Sequence, residues 1–105
     1  IKDKIIIILD DMCDTGGTLL KCCSLLIENG AKEVICCVTH GILSGPAIKR
    51  INSCEQISKI IVSNTLPQDD NQKNIDKLCV FDISDLMKQV IERIISGESI
   101  SNLFI

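Results

Sequence analysis

The polarity pattern of the chain alternates between short β-branched runs and longer stretches of helical period. Ile5 to Leu9 is an uninterrupted apolar run that closes on Asp10-Asp11, and it reads as a central strand of a parallel sheet, buried on both faces. After a loop from Met12 to Gly17, the apolar positions Leu19, Leu20, Cys22, Cys23, Leu26 and Ile27 recur at helical spacing, and Asn29-Gly30 supplies the stop. Val34 to Val38 is a second strand, so the first forty residues have the rhythm of a β-α-β unit with a right-handed crossover. Ser44-Gly45-Pro46 opens a short helix to about Ile51, with proline in the first turn, where its missing N–H costs nothing. Ile60 to Val62 and Leu78 to Phe81 are strands three and four, separated by a polar stretch, Asn64 to Lys77, read as a surface loop.

The last helix carries the strongest periodicity. Ile83, Leu86, Met87, Val90, Ile91, Ile94 and Ile95 fall on one stripe, with Asp82 or Ser84 as cap and Gly97 as stop, which predicts a face packed into the core. Strands alternating with helices make an α/β fold with a mainly parallel sheet flanked by helices the expected class.

At 105 residues the chain holds one domain, and 46% hydrophobic with 24% charged residues places it among globular proteins. Isoleucine supplies 20 residues, whereas Phe81 and Phe104 are the whole aromatic complement. With 11 Lys+Arg against 14 Asp+Glu, the chain has neither stacking platform nor basic groove, so nucleic acid is excluded as a partner. No apolar run is long enough to cross a bilayer, and a membrane partner is not expected. The start at Ile1, with no initiator methionine and no signal-like segment, reads as a piece of something longer. Seven cysteines, an odd number with two adjacent pairs and no C-x-x-C, fit small apolar core residues in a reducing, cytoplasmic compartment better than a disulfide framework or zinc site.

Candidate chemistry concentrates where the first strand meets the first helix. Asp14-Thr15-Gly16-Gly17-Thr18 puts two glycines and two hydroxyls ahead of a helix, where free N–H groups and the positive dipole end favour a phosphate. Read alone, that pentapeptide is as readily a capped turn, but the strand and the acidic pair before it favour the anion site. Asp10, Asp11 and Asp14 repel a phosphate, so at least the first two are expected to face another part of the ligand. Vicinal hydroxyls donating to carboxylates fit, as does a bridging magnesium ion. A phosphorylated polyol, most simply a sugar phosphate, satisfies both halves. The D-D-x-x-D spelling of Asp10 to Asp14 matches a magnesium-diphosphate motif of all-α prenyl-transferring enzymes, but a β-branched run before it and two glycines after it oppose a long helix. A phosphorelay receiver explains the acidic pair and leaves the glycine loop unexplained. His40 is expected to be a hydrogen-bonded structural histidine, and Lys49-Arg50 a solvated face.

Ile5 to Thr18 resembles the phosphoribosyl-diphosphate loop of the type I phosphoribosyltransferase fold. Four stretches extend the likeness in order along nearly the whole chain: Asp10 to Thr18, Thr39 to Ala47, Val62 to Pro67 and Gly97 to Phe104. Together they resemble the carboxyl-terminal domain of the ribose-phosphate pyrophosphokinase family, which makes residues 1–105 the ribose 5-phosphate-binding half of a longer enzyme. The resemblance implies transfer of the β,γ-diphosphoryl group of ATP to the anomeric hydroxyl of ribose 5-phosphate, with magnesium, giving phosphoribosyl pyrophosphate and AMP. Carried over by motif, Asp14, Thr15, Gly16, Gly17 and Thr18 hold the 5-phosphate, and Asp10 with Asp11 the ribose hydroxyls. Ser99, Ser101 and Phe104 fall in a tail that the family uses for a regulatory phosphate or nucleotide site at a subunit interface of a hexamer. The family's ATP-binding, catalytic basic and magnesium-binding residues lie ahead of this segment, so no catalytic or metal-ligating residue is expected within it, and the chain alone is expected to bind sugar phosphate without turnover. Two alternatives stay open: a salvage phosphoribosyltransferase, and a non-catalytic synthetase-associated regulatory subunit.

Overall fold

A computed structural model describes residues 1–104. Four parallel strands lie in chain order: β1 (Ile5–Cys13), β2 (Glu33–Gly41), β3 (Ile57–Ser63) and β4 (Leu78–Phe81). Each connection carries a helix, as parallel neighbours require: α1 (Gly17–Glu28), α2 (Ala47–Ser53) and α3 (Asp69–Asn74), with α4 (Ser84–Ser96) and a short 3-10 turn (Ser101–Phe104) following the sheet. The expected α/β class with a parallel sheet is what is observed. The expected loop from Asn64 to Lys77 contains α3; its six polar residues show no apolar period, and the apolar anchors Ile75 and Leu78 lie beyond its end.

The core is one-sided. Alternate residues of β2 and β3, Val34, Cys36, Val38, Ile60 and Val62, meet Leu19 and Cys23 of α1 and Ala47 and Ile51 of α2, with Ile75 and Leu78 closing the far end. Cys23 and Cys36 touch at 3.9 Å between sulfurs, and all seven cysteines are free. The hydrogen bond with Cys23 and burial both push the Cys36 thiol far up, so it stays protonated at neutral pH.

The opposite face of the sheet is open, which corrects two expectations. β1 is an edge strand rather than a central one, and its register places Ile7 beside Ile35 and Leu9 beside Cys37 on a face where Ile7 and Leu9 are 61% and 78% exposed. A continuous isoleucine run signals that both faces are suited to burial; it does not supply the second layer. Likewise the α4 stripe is not core: no residue of α4 is buried, and Ile91, Ile94 and Ile95 stand in solvent. The helix itself forms as expected. Asp82 accepts the Ser84 N–H at 2.7 Å, Asn64 binds both Asp82 and the Ile83 N–H at 3.0 Å, and Gly97 ends the helix at φ 76°. A molecule 51 × 32 × 19 Å in extent, with a radius of gyration of 16.1 Å, is thin and elongated beside the ~13 Å of a compact domain of this size. Its thinnest dimension accommodates one sheet and one helix layer.

Candidate sugar-phosphate site

β1 runs on through the acidic pair to Cys13, so Asp10 and Asp11 are strand residues and the turn proper is Asp14 to Gly16. Gly16 makes that turn at φ 81°, the left-handed region that a side chain disfavours, and α1 begins at the next residue. No side chain caps the helix, and its first internal bond is Leu20 N–H to Gly16 C=O at 2.9 Å. The N–H groups of Gly17, Thr18 and Leu19 therefore have no acceptor among the described residues, and the first turn holds no acidic side chain to occupy them. Asp10 and residues 12–19 line a small polar concavity of about 140 Å³ around these groups.

Of the residues expected in the site, Asp10, Asp14, Thr15, Gly16, Gly17 and Thr18 come together in this concavity. Asp11 does not line it; consecutive strand residues face opposite ways, and the Asp11 carboxylate accepts the Met12 N–H at 2.8 Å. Asp10 likewise accepts the Asp11 N–H at 2.8 Å, leaving its second oxygen for a ligand hydroxyl. The Cys13 thiol is pushed up by burial, then by the neighbouring carboxylates of Asp10 and Asp14, which keeps it a neutral, unreactive lining residue. Ser99, Ser101 and Phe104 lie elsewhere. Ser99 and Ser101 pair through their hydroxyls at 2.7 Å, Arg93 donates to the Ser99 carbonyl at 2.7 Å, and Phe104 is exposed.

A second segment straps the loop in place. The N–H groups of Ile42 and Leu43 both donate to the Cys13 carbonyl, at 3.0 and 3.1 Å, and Ser44 N–H donates to the Asp14 carbonyl at 3.0 Å. The Ser44 hydroxyl also donates to the Asp14 carboxylate. Asp14 is thus partly committed to holding the loop. Leu43 takes φ 52° to make this turn, and its side chain is buried, so packing holds a backbone conformation unusual for leucine.

Arg50 of α2, expected as part of a solvated face, reaches the same loop. Its Nη1 donates to the Thr15 carbonyl at 2.9 Å, and a Cβ placed on Gly17 would lie 3.2 Å from that nitrogen. Ser44 falls within a stretch that already carried the family resemblance, but no periodicity or motif marks Arg50. Its partner is 35 residues away in sequence. His40, read in the sequence as a hydrogen-bonded structural residue, has Nδ1 2.8 Å from the Thr65 hydroxyl.

Residues 1–105 match the family profile described as phosphoribosyl synthetase-associated domain. The chain belongs to that family. Among curated relatives, ribose-phosphate pyrophosphokinase 3 of Saccharomyces cerevisiae is 49% identical over 104 residues, covering 99% of this chain and 32% of the relative. Ribose-phosphate pyrophosphokinase 1 of Candida albicans is 50% identical, with the same coverage of each. The crystal structure of phosphoribosylpyrophosphate synthetase from Mycobacterium smegmatis superposes with a TM-score of 0.85 at 42% identity, over 91% of this chain and 32% of that one. The chain thus spans about a third of the length of the family members it matches. No helix among the described residues is long and apolar enough to cross a membrane.

Proposed function

We propose that residues 1–105 are the carboxyl-terminal, type I phosphoribosyltransferase-like domain of a ribose-phosphate diphosphokinase and supply its ribose 5-phosphate site. The observation that carries this reading is the uncapped start of α1, where three free N–H groups and the Thr18 hydroxyl share one concavity with Asp10. In it the 5-phosphate meets the N–H groups of Gly17, Thr18 and Leu19 and the positive end of α1. The ribose hydroxyls donate to Asp10, with Asp11 at the outer margin. Phosphoryl-type transfer depends on aligning the acceptor, and that is the role this loop has: it fixes the sugar so that the anomeric hydroxyl is presented to the diphosphoryl group of ATP.

ATP and the groups that neutralise its charge belong, on this reading, to the rest of the enzyme. On the same reading the magnesium ligands lie with ATP outside this segment: no three His, Cys, Asp or Glu side chains converge among the described residues, and Asp14 is tied to Ser44. The tail residues Ser99, Ser101 and Phe104 form part of a regulatory phosphate or nucleotide site completed by another subunit of a homo-oligomer, a hexamer in the family resembled. The working compartment is the cytoplasm. The names of the relatives favour the diphosphokinase over a salvage transferase.

Titration with ribose 5-phosphate, against ribose and inorganic phosphate in parallel, with and without magnesium, tests the site. Selective binding of ribose 5-phosphate that shifts the amide signals of residues 10–18 is expected, with no phosphoribosyl pyrophosphate formed from ATP by the 105-residue chain alone. Equal binding of ribose and ribose 5-phosphate removes the phosphate loop from the reading.

A further inference from the structure

The sugar-phosphate loop has a charge problem that its own residues do not solve. Asp10, Asp11 and Asp14 put three carboxylates within five positions, and residues 10–18 contain no lysine, arginine or histidine. The helix dipole contributes only a partial charge at Gly17. Arg50 is the one cationic side chain hydrogen-bonded to the loop among the described residues, and it reaches the loop from a different helix.

We infer that Arg50 is a positioning residue for the anion loop, holding the Thr15 carbonyl turned toward α2 so that the N–H groups beyond Gly16 stay free for phosphate. This inference rests on the sugar-phosphate reading of the loop and deepens it. A carbonyl oxygen at Thr15 aimed into the concavity would repel an anion; its hydrogen bond to Nη1 fixes it on the arginine side. Glycine at position 17 is part of the same arrangement, because a side chain there would press on the guanidinium at 3.2 Å. No carboxylate among the described residues pairs with Arg50, so its charge is not neutralised locally and offsets the acidic strand end. Lys49, the adjacent cation, has no hydrogen bond to the loop among the described residues and serves as an internal control for net charge.

The test compares Arg50→Met, which keeps the aliphatic stem and removes donors and charge, with Arg50→Lys and Lys49→Ala, all in the full-length protein. Calorimetry gives affinities for ribose 5-phosphate and for ribose, and amide spectra without ligand report on residues 16–19. Arg50→Met is expected to weaken ribose 5-phosphate binding about tenfold or more, as loss of a charged hydrogen bond does, to leave ribose binding unchanged, and to move the ligand-free signals of Gly16, Gly17 and Thr18. Arg50→Lys recovers part of the loss, and Lys49→Ala stays within twofold of the parent. Arg50→Met within twofold of the parent, or a loss matched by Lys49→Ala, overturns the inference. If the parent itself does not prefer ribose 5-phosphate to ribose, the site reading fails instead, and unmoved amide signals in Arg50→Met then overturn the role of Arg50 independently.

Discussion

Gly16 and Gly17 are adjacent and identical in sequence, yet the structure gives them different reasons to be glycine, and alanine at each separates them. At Gly16 there is room: a Cβ would sit 3.6 Å from Leu20 Cδ2 and 3.8 Å from Ala47 Cα, both ordinary contacts. The cost there is conformational, because φ 81° is left-handed, and alanine in that region loses about 1–2 kcal/mol. At Gly17 the backbone is helical and the neighbour is the mobile end of Arg50 at 3.2 Å, so alanine displaces a side chain while gaining up to about 1 kcal/mol of helix propensity. Gly16→Ala is therefore expected to lower the urea midpoint by roughly 0.3–2 M at unchanged m-value, given slopes of about 1–3 kcal/mol/M, while Gly17→Ala leaves it nearly unchanged. In binding the order reverses in kind: Gly17→Ala perturbs the Arg50–Thr15 contact and weakens ribose 5-phosphate without unfolding anything. Urea denaturation followed by circular dichroism, with the sugar-phosphate titration alongside, checks both. Equal midpoints for the two variants would refute the assignment of strain to Gly16, and the pair would be no more than a flexible turn.

Two further outcomes follow from polar contacts away from the loop. Gln68 is buried and donates to the Gly41 carbonyl at 2.7 Å while accepting from Asn71 at 2.9 Å; Gln68→Leu leaves that carbonyl unpaired and is expected to cost about 1–3 kcal/mol in chemical denaturation, against no change for the exposed neighbour Asp69→Asn. The Asp82 carboxyl is held below its usual 3.8, chiefly by hydrogen bonding with Ser84 and then with Asn64. A folded-state value below the unfolded one means a contribution to stability present above about pH 4 and lost as the pH falls through the lowered value, and an acid titration of Asp82→Asn is expected to lack that component.

What the sequence disclosed depended on whether the signal was local. The isoleucine run, the helical spacing from Leu19 to Ile27 and the terminal stripe each announced an element, because periodicity is set by neighbours in the chain. The anion loop was legible for the same reason, since Asp14 to Thr18 carries glycine, hydroxyl and helix start in one pentapeptide. α3 was missed because six polar residues hold no amphipathic pattern and the burial is delegated to Ile75 and Leu78. Arg50 was missed because its partner lies across the sheet-to-helix connections, where spacing says nothing. The burial of β1 and α4 was overestimated, because an apolar face states what it suits, while only the presence of a second layer decides whether it is covered.

The naked face of the sheet has a thermodynamic consequence for everything measured on this chain. Covering what is exposed of Ile7 and Leu9 on that face and of Ile91, Ile94 and Ile95 on α4 is worth about 1–2 kcal/mol each, a total of roughly 5–10 kcal/mol and comparable to the whole folding free energy of an ordinary domain. A quantity that large sits outside the intramolecular balance of these residues and inside whatever surface meets them. Where such a surface is a second copy of the chain, folding and association become one linked equilibrium, and a melting temperature that rises with protein concentration is its signature.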